Sequence, residues 1–273
     1  MAGTLFVMGT PIGNLSDFSP RAIATLEECD FIAAEDTRVT LKLLNHFDIK
    51  KQLVSYYEHN KLEREDEILN RIINGENCVL VSDAGMPAIS DPGMELVKAC
   101  HERGITVQSV PGPTAFATAL AISGMDNGRF TFEGFLSVNK KSRREHLDDI
   151  RCERRTMIFY EAPHKLSATL RDLYEALGDR EIAIVRELTK IHEEVIKTTL
   201  SAAVEAYPDN NLKGEIVLII AGAKEDKTEE VTLEDATALA LDFVDKGMSK
   251  NDAAKTAAKQ TGLKKGDIYK AIQ

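Results

Sequence analysis

Two α/β halves followed by a small helical module are what the sequence predicts, and three observations carry that prediction. Short β-branched runs alternate with helical patterns over residues 1–125 and again over 126–222. Between them the chain changes character: residues 138–155 hold seven basic side chains against four acidic ones, which suits a boundary zone. Beyond residue 222 an acidic stretch at 223–245 gives way to a lysine-rich, alanine-rich stretch at 246–273. The length of 273 residues also fits two domains of roughly 100–200 residues each.

In the first half, residues 5–8, 31–34, 79–82 and 106–110 read as buried strands of a mostly parallel sheet. The helices between them have readable starts. Ser19 before Pro20 supplies an N-cap and an N1 proline, and the apolar Ile23 and Leu26 follow at helical spacing. Residues 60–74 carry Ile68, Leu69, Ile72 and Ile73 in helical register, and Gly75 ends the run. The second half opens with a strand at 129–136. It continues with strands at 156–160, 182–186, 195–199 and 215–221, and a helix at 165–177 stopped by Gly178. The short link between 186 and 195 is hairpin-like, so this sheet is expected to be mixed.

The tail divides by charge. Residues 223–245 hold Glu225, Asp226, Glu229, Glu230, Glu234, Asp235, Asp242 and Asp245 against Lys224 and Lys227. Residues 246–273 hold seven lysines and two aspartates, 7 − 2 = +5. Ser249 to Asp252 resembles a capping box, and the turn at Thr261-Gly262-Leu263 gives a helix-turn-helix layout.

Composition excludes several classes. At 43% hydrophobic residues the chain is too apolar for disorder, yet no apolar run approaches the roughly 18 residues of a membrane span. The first residues lack a basic leader and a small-residue cleavage site, so a soluble, cytosolic protein is expected. Cys29, Cys78, Cys100 and Cys152 are far apart and form no CxxC pair, and the six histidines show no ligand spacing, so no metal site is expected.

The strand-end loops are the unusual feature. Gly9-Thr-Pro-Ile-Gly-Asn14, Glu35-Asp-Thr-Arg38, the glycine- and proline-rich run from Asp83 to Gly93, and Pro111-Gly-Pro-Thr-Ala115 all follow predicted strands. In a parallel sheet these loops share one edge, where ligands bind. Glycine lets a ligand approach main-chain groups closely, so the edge suits a zwitterionic or nucleoside-like cofactor. No GxxxxGK[ST] motif is present, which excludes a P-loop enzyme. GxGxxG is also missing, although Glu35 stands where a ribose-binding acid would sit, so a nicotinamide-dependent oxidoreductase remains a weaker alternative.

These loops, together with Glu-Gly-Phe-Leu at 133–136, Phe-Tyr-Glu-Ala-Pro-His at 159–164 and Arg-Glu-Leu-Thr-Lys at 186–190, closely resemble the ribosomal RNA small subunit methyltransferase I branch of the tetrapyrrole methylase superfamily. The resemblance covers roughly residues 4–222. Met86 and Ser137 depart from the branch, which more often has Thr and Pro there. The resemblance implies a tetrapyrrole methylase-like fold with S-adenosylmethionine in a cleft between the two α/β domains. By likeness, Pro11, Asp83, Gly85, Met86, Thr114 and Ala115 would contact the cofactor from the first domain, and Tyr160, Leu188 and Ile216 from the second. Tyr160 and Ile216 also read as core residues of apolar strands. The implied reaction is methyl transfer to the 2′-hydroxyl of a cytidine in the decoding region of 16S rRNA in the small ribosomal subunit; another acceptor within the superfamily is the alternative. The implied state is a homodimer.

An alcohol nucleophile calls for a proton acceptor and for groups that orient the RNA. Glu35, Asp36, His164, Glu187 and Lys190 are candidates for base or orienter, and Arg38 and Arg186 for holding phosphate. The Glu35–Arg38 loop is preferred, because an acid and a guanidinium at one strand end serve both tasks; Asp36, Arg38 and Lys190 complete the candidate catalytic set with Glu35. A net charge of −10 is unfavourable for RNA binding, so contact is expected at local basic patches: Lys140, Lys141, Arg143 and Arg144, and Lys264 and Lys265 in the tail. A non-enzymatic regulator that reads DNA through the tail is a further, weaker alternative.

Overall fold

The structure, a computed structural model, describes residues 1–209, 212–224 and 232–273, which fall into two units, Met1–Ala223 and Lys224–Gln273. The first unit contains two sheets. Five parallel strands, β1 (Thr4–Met8), β2 (Phe31–Ala34), β3 (Gln52–Ser55), β4 (Cys78–Val81) and β5 (Thr106–Val110), lie in the order β3-β2-β4-β1-β5. Every residue of β2 and β4 is buried, as their unbroken apolar runs require of central strands covered on both faces. Alternate residues serve opposite faces. Ile32, Ala34, Val79 and Val81 pack towards α1 (Pro20–Glu28) and α2 (Thr37–His46), while Phe31, Ala33, Cys78 and Leu80 pack towards α3 (Lys61–Ile73) and α4 (Met94–Glu102). The side chain of Ser19 caps α1 by accepting from the Ala22 amide at 3.1 Å, with Pro20 in the first turn. Strand β3 has no counterpart among the predicted strands: it is an edge strand with one neighbour, and its polar ends, Gln52 and Ser55, hide the strand signal.

From β1 the chain turns towards β2, and from β4 it turns the other way, towards β5. The chain thus leaves β1 and β4, neighbouring strands, in opposite directions at the carboxyl edge, the place where ligands bind in such sheets.

The second sheet is mixed, as the 186–195 link predicts. Its order is β6 (Phe130–Phe135), β7 (Thr156–Glu161), β10 (Ile216–Ile220), β8 (Glu181–Arg186) and β9 (Glu194–Thr199); only β6 and β7 pair parallel. Helices α6 (Lys140–Asp149), α7 (Leu166–Leu177) and α8 (Leu200–Ala206) cover one face, over Met157, Phe159, Ile184 and Leu218. The basic 138–155 segment thus contains a helix of the second sheet's own core, anchored by Leu147 and Ile150. Helix α5 (Ala115–Ser123) follows β5 yet packs on the opposite face of this sheet, where Ala119 and Leu120 meet Ile158, Val185 and Ile219. Burial of Leu120, Ile158, Val185 and Ile219 stabilises the fold by about 1.5–3 kcal/mol each.

In the second unit α9 (Leu233–Asp245), α10 (Lys250–Thr261) and α11 (Lys265–Ala271) pack around Ala236, Ala240, Ala254, Ala257 and Ile268. Ser249 caps α10, and Gly262, at φ 74°, ends it, so the α10–α11 pair has the predicted helix-turn-helix layout. Of the acidic stretch, Glu225, Asp226, Lys227, Glu229 and Glu230 lie outside the described residues. Among the described residues no helix is long and apolar enough to cross a membrane, and no group of three or more His, Cys, Asp or Glu side chains is arranged to hold a metal. The thiols of Cys29, Cys78 and Cys100 are buried and that of Cys152 is exposed, all unpaired; burial pushes Cys29 and Cys100 up to about 11.

Candidate active site in the first unit

The loops of the first sheet are knitted main chain to main chain. Thr10 and Gly85 exchange backbone hydrogen bonds at 2.9 and 3.1 Å, and the Gly9 amide donates to the Val110 carbonyl at 3.0 Å. Gly9 and Gly112 cross so closely that a Cβ on Gly112 would stand 2.7 Å from the Gly9 carbonyl oxygen. These glycines are needed for backbone approach. The β2 and β4 loops clasp through carboxylates: Glu35 Oε2 accepts from the Asp83 amide at 3.3 Å, and Asp83 Oδ1 accepts from the Asp36 amide at 3.1 Å.

The loop acids differ in electrostatics. Asp36 caps α2 and is held by Arg38 at 2.6 Å, whose guanidinium lowers its pKa to about 2. Desolvation in the cleft instead raises Glu35, Asp83 and Asp91, and repulsion among neighbouring carboxylates adds to the shift. A partly desolvated anionic wall of this kind favours a cationic ligand.

The second sheet contributes a different wall. Tyr160 presents one face to the cleft, its hydroxyl accepts from the Phe116 amide at 3.1 Å, and its ring meets Phe135 edge-on at 5.5 Å. Leu188 and Ile216 are buried beneath that surface. Leu188 sits between Glu187 and Thr189, non-glycine residues with φ of 52° and 67°. Such conformations persist only where surrounding contacts over-determine them. Here those contacts are an Asn14 Nδ2 bond to the Thr189 carbonyl at 3.4 Å and a Lys190 ammonium placed 3.0 Å from Glu187 and 3.2 Å from Glu215. Burial opposes the charge of Lys190, but its bonds to Glu187 and Glu215 prevail and hold its pKa above the ordinary value.

Between the walls lies a cleft of about 440 Å³. It is lined by Glu35, Asp83, Gly85, Met86, Thr114, Ala115, Tyr160, Leu188 and Ile216 of the residues singled out from the sequence. Pro11 instead lines a neighbouring cavity. Asp36 and Arg38 line neither: they are tied to each other, with the Arg38 side chain 86% exposed beside the cleft mouth. Lys190 stands behind the lining residue Glu215, and its bonds to Glu187 and Glu215 favour the ammonium form. Asp91, Phe135 and Glu215 also line the cleft without having been singled out. Asp91 lies within the noted 83–93 loop and Phe135 within the 133–136 motif, but only the fold turns them towards the same space.

Of the basic candidates, Lys140, Lys141 and Arg144 on α6 and Lys264 and Lys265 at the start of α11 are exposed. Arg143 departs from expectation. Its guanidinium turns inward to Asp172 at 2.5 Å and to Thr169 at 2.9 Å, because its helix packs against α7, so it braces the core and does not face solvent.

The fold is shared with solved methyltransferases. The methyltransferase CobJ superposes with a TM-score of 0.60 at 22% identity, covering 81% of this chain and 95% of that one. Uroporphyrin-III C-methyltransferase from Thermus thermophilus, solved with S-adenosyl homocysteine, gives 0.56 at 18% identity over 80% and 97%. The profile of the tetrapyrrole (corrin/porphyrin) methylases matches residues 4–204, and the chain belongs to that family. Relatives more similar in sequence bear the name ribosomal RNA small subunit methyltransferase I. The Synechocystis sp. protein is 45% identical over 268 residues, covering 98% of this chain and 96% of its own. The Halalkalibacterium halodurans protein is 47% identical over 270 residues, at 98% and 93%. A Thermotoga maritima relative of the same name is 47% identical over 220 residues, covering 99% of its own length but 81% of this chain. The first unit makes up a similar share, 223/273 or about 82%.

Proposed function

We propose that this chain is an S-adenosylmethionine-dependent methyltransferase that modifies small-subunit ribosomal RNA at the 2′-hydroxyl of one cytidine in the decoding region. The observation that carries the reading is the two-sided cleft, in which Glu35, Asp83 and Asp91 on the side of the first sheet stand across from Phe135, Tyr160, Leu188 and Ile216, with Glu161 and Glu215 among them, on the side of the second. The donor set fits the cofactor: Glu35 and Asp83 suit its cationic groups, the knitted backbone at Gly85 and Thr114 its amino-acid end, and Tyr160, Leu188 and Ile216 its adenosine. When bound, that cofactor supplies a methyl group on a sulfonium, an electrophile that needs no metal.

The protein's task is then to place a hydroxyl in line and to receive its proton. Glu35 is the acid of the preferred loop that faces the cleft, and its raised pKa makes it a better proton acceptor than Asp36, which Arg38 keeps strongly ionised. Asp36 holds the N-terminus of α2, and Arg38 presents the exposed side of its guanidinium to RNA phosphate. Lys190 keeps Glu187 and Glu215 in place at the far rim. Lys140, Lys141, Arg144, Lys264 and Lys265 supply counter-charge for RNA on an otherwise acidic protein acting in the cytoplasm as a homodimer. The tail lysines lie outside residues 4–204, the span the family profile matches, so they serve affinity and not chemistry.

The test is methyl transfer from labelled S-adenosylmethionine to unmodified small ribosomal subunits, followed by nuclease digestion and mass spectrometry. One 2′-O-methylcytidine per subunit is expected. Transfer to a base atom, to another nucleotide or to protein contradicts the assignment. Charge reversal at Lys264 and Lys265 lowers subunit affinity and flattens its salt dependence, with cofactor affinity unchanged.

A further inference from the structure

Beside the cleft lies a second cavity of about 290 Å³ between the 10–15 loop and helix α2, with Ser82 and Asp83 on its inner wall. Asp83 lines both spaces. The cavity is at the small end of ligand pockets and has room for a single nucleoside, not for a folded RNA element.

Its chemistry is that of a base-binding slot. Leu15, Val39 and Leu43 give it apolar sides, and Leu15 is 42% exposed although large and aliphatic. The buried hydroxyl of Thr40, the Asn14 amide and the Lys42 ammonium add polar groups among those sides. Lys42 has no ion-pair partner among the described residues, and it stands one helical turn from Arg38, which projects into solvent. A cationic stripe on α2 therefore runs from the mouth of the cleft past this cavity. A strand tracked by its phosphates along that stripe would present successive bases to the slot.

We propose that this second cavity takes the acceptor nucleoside, a pyrimidine extruded from the RNA, with its ribose at Asp83 and its flanking phosphates on Arg38 and Lys42. The proposal rests on the methyltransferase reading above and adds to it the place of the acceptor. The reacting 2′-hydroxyl lies on the ribose, so turning the base into a nucleoside-sized slot serves to fix the sugar and not to expose the atom, and a slot that shares Asp83 with the donor cleft supplies the receiving pocket. The first cleft then keeps all its room for the cofactor, and Asp83 lies where the two ligands meet.

The test uses the full chain with Val39→Trp, which fills the slot, and Lys42→Glu, which reverses the rim charge. Three readouts are taken: calorimetric titration of S-adenosylmethionine, kcat/KM on unmodified small subunits, and fluorescence of a cytosine analogue at the mapped methylation position of an RNA hairpin. The last is recorded without cofactor. We expect Val39→Trp to lower kcat/KM by about 100-fold and to abolish the unstacking signal, and Lys42→Glu to lower kcat/KM about tenfold, with cofactor affinity within about twofold for both. Wild-type transfer with full activity and signal in both variants overturns the pocket alone, as does a loss confined to cofactor affinity. No transfer by the wild-type protein overturns the methyltransferase reading and the pocket with it.

Discussion

The two sheets build their edges by opposite means. The first sheet ends in glycine- and proline-rich loops that cross backbone to backbone, and it contributes main-chain groups and desolvated carboxylates. The second ends in a turn of ordinary residues held in the left-handed region by side-chain contacts, and it contributes Tyr160, Leu188 and Ile216 together with Glu161 and Glu215. One edge is shaped by what its residues permit, the other by what its neighbours enforce. The contrast shows that a cleft wall does not need a permissive sequence, provided tertiary contacts hold the turn.

The largest effect is expected where permissiveness is removed. Gly112→Val places side-chain carbon against the Gly9 carbonyl, and the β1 and β5 loops cannot both stay in place. A stability loss of about 3 kcal/mol is expected by denaturant titration, with cofactor binding abolished in the fraction that folds. A variant of native stability would show that the crossing can relax.

Acidity separates the edges next. Because Glu35, Asp83 and Asp91 have raised pKa values, protonation weakens cofactor binding at higher pH than ordinary carboxylates would. Affinity is expected to fall as acidification protonates these groups, with a limiting slope of about tenfold per pH unit per proton taken up, and Glu35→Gln is expected to flatten the profile. For the free protein the sign is reversed. A carboxyl whose folded pKa is raised contributes stability only when protonated, and that contribution is lost as pH rises through the folded value, so Glu35→Gln stabilises the ligand-free protein at neutral pH. A destabilised Gln variant would contradict the burial assigned to this side chain.

On the second edge, Lys190→Met removes the charge between Glu187 and Glu215. Turnover is expected to drop about tenfold while stability changes by less than about 1 kcal/mol, since partly exposed pairs contribute little. The smallest effect is at Thr189. Replacement by glycine relieves its left-handed φ but loosens the unfolded chain and loses the hydroxyl bond to the Ile12 carbonyl, so stability is expected to change by less than about 1 kcal/mol while turnover falls as the turn loosens. Unchanged turnover would show that the held turn has no functional role.

The same contrast decides what could be read from sequence. The buried strands β2 and β4 announce themselves as unbroken apolar runs, and the loops of the first edge as clusters of Gly and Pro. Edge strand β3 is half polar and gives no such signal. Glu187 and Thr189 carry no local mark of their conformation, because it arises from Asn14, Ile12 and Glu215, distant in the chain. Arg143 looked like a surface cation because its partner Asp172 lies 29 residues away on another helix. The cofactor candidates were legible through motif resemblance, and all but Pro11 line one cleft; Pro11, from the 9–14 loop, lines the second cavity.

The central claim is that both edges hold one ligand. Calorimetric titration of S-adenosylmethionine into the wild-type protein, Glu35→Gln and Leu188→Ala tests it most directly, with thermal unfolding confirming that each variant is folded. The account predicts a single site in the wild type and a loss of at least about tenfold in affinity from either substitution. Affinity unchanged by Leu188→Ala in a folded protein, with Glu35→Gln still impaired, would mean that the second sheet does not share the cofactor site and would contradict the account.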